Sequence, residues 1–105
     1  MNDKIAAVTI SHHVQGQGGR YVAVVAGETT EGFLEWEPGK MQAGKEVRIA
    51  AHTVVPRAIG GRGVAAQLVD RLVADAQRLD FLIRPDCSYV AKKFYENPDW
   101  AALKS

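Results

Sequence analysis

The sequence predicts a mixed α/β domain in which an antiparallel meander comes first and one parallel crossover follows. Three observations carry that expectation. The first half holds short apolar, β-rich runs separated by glycine and proline. From Gly63 the pattern changes to a helical period. Another short apolar run, Phe81 to Arg84, follows that helix, and a strand, a crossover helix and a second strand imply a right-handed parallel pairing.

Taken in order, Lys4 to Ile10 is short and β-branched and reads as the first strand. Ser11 to Gly19 has two histidines and three glycines, which is loop chemistry. Arg20 to Ala26 reads as the second strand, closed by Gly27. Thr30 to Glu37 alternates, with Phe33 and Glu35 on one face and Leu34 and Trp36 on the other, and Pro38-Gly39 ends it. Glu46 to Val55 is the longest strand candidate; its second half is apolar on both sides, which predicts a central strand covered on both faces. Pro56 cannot donate to a ladder and closes it. Val64, Leu68, Leu72 and Ala76 form one helical stripe to about Leu79, with Gln67, Asp70, Arg71, Asp75 and Arg78 on the opposite side. Ser88 can cap a second helix whose inner face holds Val90, Ala91, Phe94 and Tyr95, and Asn97-Pro98 stops it. A last turn is expected around Trp100.

At 105 residues the chain, residues 1 to 105, is expected to be one domain around one core. Apolar residues at 47% and charged residues at 24% are ordinary for a soluble globular protein. A net charge of +1 gives no electrostatic case for nucleic acid or for a polybasic membrane anchor. No apolar run approaches the ~20 residues of a membrane span. The N-terminus lacks the pattern of a signal peptide, and one cysteine, Cys87, fits a reducing compartment; the expectation is a cytoplasmic protein.

The informative stretch is His52 to Leu68, a strand, a glycine-rich turn and a helix. The first turn of a helix leaves N–H groups unpaired beside a positive dipole end, and glycines let an anion approach them. Gly61-Arg62-Gly63-Val64-Ala65-Ala66 formally fits the dinucleotide fingerprint. That fold, however, puts the turn after its first strand and needs further parallel units, and here about forty residues remain. A Walker loop is excluded because no Gly-Lys-Ser/Thr follows. Three glycines making only a tight turn is the plainer alternative.

Four ordered motifs narrow the choice: His52-Thr53-Val54-Val55-Pro56, Gly61-Arg62-Gly63-Val64-Ala65, Pro85-Asp86-Cys87-Ser88-Tyr89-Val90 and Asn97-Pro98-Asp99-Trp100. Over about residues 20 to 103 the chain resembles the small single-domain members of the GNAT acetyltransferase superfamily, whose acetyl-CoA signature is Arg/Gln-x-x-Gly-x-Gly/Ala. The first slot of that signature is Gly60 here, so one side chain is missing from the turn; neighbouring Arg62 carries charge instead. The pair of helices that larger members insert between their first two strands is also missing.

The resemblance implies a minimal GNAT-like acyl-CoA N-acyltransferase fold: a meander, a crossover helix and one C-terminal helix. It implies acetyl-CoA as co-substrate, an amine acceptor and no metal. Backbone groups of Gly60, Gly61, Arg62, Gly63, Val64 and Ala65 would hold the pyrophosphate, and Thr53, Val54 and Val55 would pair with the pantetheine arm where their strand splays from Phe81–Arg84. Ser88, Lys92 and Asn97 are further implied contacts. The resemblance also offers Cys87 as a thiol near the thioester and Tyr95 as the acid for the leaving thiolate. His52, a residue type that titrates near neutrality, is a candidate base beside the thioester. Each has a plain alternative: Cys87 a buried inert thiol, Tyr95 a core tyrosine, His52 a hydrogen-bonded strand histidine. For Cys87, adjacent Asp86 would raise the thiol pKa and a helix N-terminus at Ser88 would lower it. His12 and His13 have no partners at metal-ligand spacing. A CoA-binding or interaction module without transfer activity is the alternative function.

Overall fold

The first departure from these expectations is at the start of the sheet. The structure, a computed structural model, describes residues 7–105, so residues 4 to 6 of the expected first strand lie outside it. Strand β1 runs from Val8–Gln15 and β2 from Gly18–Val25, paired antiparallel with Gln15 opposite Gly18. The expected loop therefore shrinks to Gly16-Gln17, where Gly16 at φ 62° supplies the left-handed turn. His12 and His13 are strand residues. Gly18 and Gly19 serve close approach instead of a loop: a Cβ on Gly18 would lie 2.5 Å from the Trp36 carbonyl oxygen, and one on Gly19 2.6 Å from the Trp36 indole nitrogen.

β3 (Glu31–Pro38) and β4 (Val47–Val54) complete the meander, and β5 (Leu82–Pro85) joins β4 in parallel, so the order is β1-β2-β3-β4-β5. The alternation read for β3 holds: Leu34 and Trp36 are buried, while Phe33 and Glu35 are half-exposed.

Helix α1 (Val64–Leu79) lays Val64, Leu68, Leu72 and Ala76, with Val69 and Val73, on Tyr21, Ala23, Val25, Leu34, Trp36 and Ala50. Its last turn closes on Asp80, left-handed at φ 61°, whose N–H bonds the Ala76 carbonyl. Helix α2 (Ser88–Glu96) adds Val90 and Phe94 to the same cluster. A 3-10 turn over Pro98–Leu103 packs Trp100 edge-on against Phe94 at 5.5 Å between ring centres. Ser105 then donates its N–H to Ile83 O at 2.9 Å, tying the tail to β5.

Two expectations about faces are corrected. Asp75, read as part of the polar side of α1, is buried at 4% exposure, accepting from the Tyr21 hydroxyl at 2.8 Å and from Arg71 and Arg78. A carboxylate in the interior is tolerated because three donors surround it. On α2, Ala91 and Tyr95 face outward, Tyr95 being 89% exposed. A nine-residue helix beside this sheet buries only the narrow stripe Val90–Phe94, one turn apart.

Because cross-strand partners share a face, the face opposite the helices is also defined. It carries Arg20, Val22 and Val24 on β2, Phe33, Glu35 and Glu37 on β3, and Ile49, His52 and Val54 on β4. No described helix contributes to it: the buried residues of α1 and α2 belong to the cluster on the other side. The second half of β4 is thus open on this face, with Val54 42% exposed, and is not covered on both sides as its apolar pattern implied.

Candidate functional site

β4 holds a one-residue bulge. Trp36 pairs with Ala50 but Glu35 pairs with His52, which leaves Ala51 as the extra residue. Side-chain parity changes there. Ala50 shares the core face with Trp36, and Thr53, three residues on, shares it with Leu34, whereas His52 goes to the open face and is exposed.

β5 leaves β4 at the same level. Their pairing ends at Ala50–Pro85, and the Cys87 N–H donates to Ala50 O at 2.8 Å as the chain turns into α2. β4 continues to Val54 with β3 on one side only, so its other edge beyond Ala50 has no strand partner. Cys87 stands at the head of that edge, its Sγ 3.4 Å from Thr53 Oγ1.

Cys87, and not Ser88, is the N-cap residue of α2, with φ −69° and ψ 128°; Ser88 is the first helical residue, and its side chain is exposed. Burial pushes the thiol pKa up, but the Thr53 hydroxyl and the N–H groups of Val90 and Tyr89 favour the thiolate more, and the net shift is downward. Those N–H groups belong to the first turn of α2 and act on the sulfur without forming a side-chain cap. Asp86 does not oppose them, because both its oxygens are bound by Arg84 at 2.9 Å.

At the far end of the open edge the chain passes Pro56, a 3-10 turn over Arg57–Ile59 and the glycines. Ile59 is fully buried and anchors the turn. Gly61 and Gly63 are left-handed at φ 73° and 75°, and a Cβ at either would meet nothing within 4 Å, so both face open space. Gly63 caps α1 with its backbone alone; no side chain satisfies the first-turn N–H groups and no acidic residue lies there. Val64 is buried and holds the helix down, while Ala65 is half-exposed. The geometry and chemistry of this turn suit an anion. Arg62 does not lean into it: its guanidinium reaches Glu28 in the β2–β3 turn at 3.2 Å.

A family model described as GCN5-related N-acetyl-transferase matches residues 20–103. The chain belongs to this family. Membership supports an acetyltransferase-type activity, and the five-stranded, mostly antiparallel sheet agrees with a minimal version of the GNAT fold. No curated protein gives a significant match to the chain.

Within this N-acetyltransferase domain the predicted residues fall into groups. Thr53 and Cys87 meet; Val54 and Val55 continue the same edge toward Gly60–Ala65. Ser88, Lys92 and Tyr95 share one exposed stripe of α2, at i, i+4 and i+7. His52 is turned to the other face of the sheet. Asn97 spends its side-chain amide on the Lys93 carbonyl at 2.8 Å, closing α2. What sequence reasoning missed is the thiol–hydroxyl pair itself: Thr53 entered only as backbone, because strand alternation puts it opposite Ala50 and only the bulge brings it round. Among the described residues no helix is long and apolar enough to cross a membrane, and no group of three metal-ligating side chains forms.

Proposed function

We propose that this domain binds acetyl-CoA and transfers its acetyl group to an amine. The observation that supports it best is the unpartnered edge of β4 beyond Ala50, which runs from the Cys87–Thr53 pair to the bare glycine turn of α1. An extended amide-bearing arm can pair with that edge as a strand would, while the N–H groups after Gly63 take the pyrophosphate.

Bound acetyl-CoA supplies an electrophilic thioester. The residues of the chain do the rest. Thr53, Val54 and Val55 fix the arm through backbone bonds, which is why valines suffice there. His52 takes a proton from the attacking amine on the open face, and Tyr95 returns one to the departing thiolate. The new bond is C–N and the broken one C–S, with the acceptor proton leaving through the base. A second reading rests on the lowered thiol pKa of Cys87: the thiolate first takes the acetyl group as a thioester and the amine then removes it.

Release of free CoA thiol from acetyl-CoA in the presence of amines tests the proposal. Binding without release would leave the domain a CoA-binding module. Intact mass after incubation with acetyl-CoA separates the two routes: no adduct, with Cys87→Ala fully active, overturns the covalent one.

A further inference from the structure

We propose that the helix-free face of the sheet holds the tail of a dicationic acceptor, an alkyl chain with a second ammonium group, in a hollow over Gly18. The inference rests on the transferase reading above and names its acceptor class. The hollow measures about 590 Å³, and its lining includes Gln15, Gln17, Gly18, Glu35 and Glu37. Register places it on the open face, since Gly18 pairs with Gln15 and lies two residues from Arg20, which pairs with Glu35. Its depth comes from Gly18, where the close approach of the Trp36 carbonyl forbids a side chain.

Its chemistry selects a cation. Glu37 is exposed and has no ion-pair partner among the described residues, and Glu35 shares its carboxylate with Arg20. The amides of Gln15 and Gln17 add carbonyl acceptors for an ammonium, which has three donors and no acceptor. Arg84, the nearby cation opposite Ile49 on β5, is held by Asp86 through two bonds. The path from the hollow to the base is short and apolar. Ile49, half-buried, is the cross-strand partner of Glu37, and His52 that of Glu35. Two residues along a strand and one strand across amount to roughly 8 Å. Four to six methylenes span that distance, so one amine at His52 and an ammonium at Glu37 belong to one molecule, with its chain over Ile49. A free diamine and a lysine side chain near a second lysine offer the same chemistry.

The test compares 1,5-diaminopentane with n-pentylamine, which has the same chain and one charge, and a Lys-x-Lys peptide with its single-lysine counterpart. Calorimetric binding and acetyl transfer are both read at low salt. A five- to tenfold preference for the dicationic member of either pair is expected, and whichever pair shows it names the source. Glu37→Gln, an exposed and unpaired position, removes the preference and leaves pentylamine and acetyl-CoA binding unchanged. Equal binding of the paired ligands, or a preference that survives Glu37→Gln, overturns the site. Diamine binding that depends on Glu37 without any transfer would instead overturn the transferase reading and leave the site standing.

Discussion

Thr53 Oγ1 and Cys87 Sγ lie 3.4 Å apart, across the point where β4 and the start of α2 separate. The hydroxyl can accept from the thiol and donate to the thiolate, so it follows the sulfur through its titration. Alkylation of Cys87 is therefore expected to titrate below the pKa of an ordinary cysteine. Thr53→Val should move that midpoint up and slow alkylation at pH 7 several-fold, measured with iodoacetamide across a pH series. An unchanged midpoint would remove the hydroxyl from the account of the thiol.

Gly63 makes a second test. A Cβ there meets nothing, so the penalty of Gly63→Ala is backbone strain alone, about 1–2 kcal/mol at φ 75°. The added methyl also faces the proposed phosphate site. A stability loss of that size by denaturant melts is expected, together with acetyl-CoA binding at least tenfold weaker by calorimetry.

Tyr95 is exposed enough for a clean substitution. Tyr95→Phe should leave the Tm within about 1 °C, as surface changes usually do. Acetyl-CoA affinity should stay constant while kcat falls by about 10²-fold, the usual scale of a lost general acid. Full activity in this variant would end the proposed role.

The buried carboxylate is structural. Burial alone would raise the Asp75 pKa, but bonds from Tyr21, Arg78 and Arg71 outweigh it and hold it below the usual carboxylate range. Asp75→Ala leaves the Tyr21 hydroxyl buried without its acceptor and is expected to destabilise by about 3 kcal/mol. Tyr21→Phe, which keeps the ring, should cost about 1.5–3 kcal/mol.

His12 stacks on Tyr21 at 4.3 Å and accepts the Trp36 indole N–H at Nε2 over 3.0 Å. That bond needs the neutral ring. Burial and the charge of Arg48, with smaller effects of Arg71 and His13, lower its pKa against the pull of Asp75. A folded pKa below the unfolded one means that the unfolded chain binds the proton more readily. The stability from His12 is then complete above about pH 6.5 and is lost as pH falls below it. Denaturant melts at pH 7.5, 6.0 and 5.0 should show this slope, and His12→Gln, which still accepts from Trp36, should flatten it.

Much of the fold was legible because its signals are local. The stripe Val64, Leu68, Leu72, Ala76 and the alternation through Leu34 and Trp36 each need only one element and one buried face. The crossover was legible because a helix between two apolar runs has few ways to return. Gly18 and Gly19 misled for a physical reason: glycine marks both turns and close approach, and only the position of Trp36, on another strand, tells which. Tyr95 misled because a nine-residue helix fits two stripes equally well in sequence, and its docking chose Val90 and Phe94. At the site, the bare glycine turn that opens α1 could be read from glycine spacing. The Thr53–Cys87 pair could not, since it depends on an inserted residue with no composition signal.

Ala51 therefore acts on the strand much as a frameshift acts on a message. Upstream of it β4 is read in one phase, with Ala50 under the helices; downstream it is read in the other, with Thr53 at the thiol and His52 on the open side. Pair the strand without the bulge, keeping Ala51 in the ladder, and every letter after it changes address: the hydroxyl turns to the open face and the imidazole to the core face. The bulge thus absorbs a single small residue, with no side chain capable of chemistry, and by absorbing it keeps Thr53, not His52, on the side of the thiol.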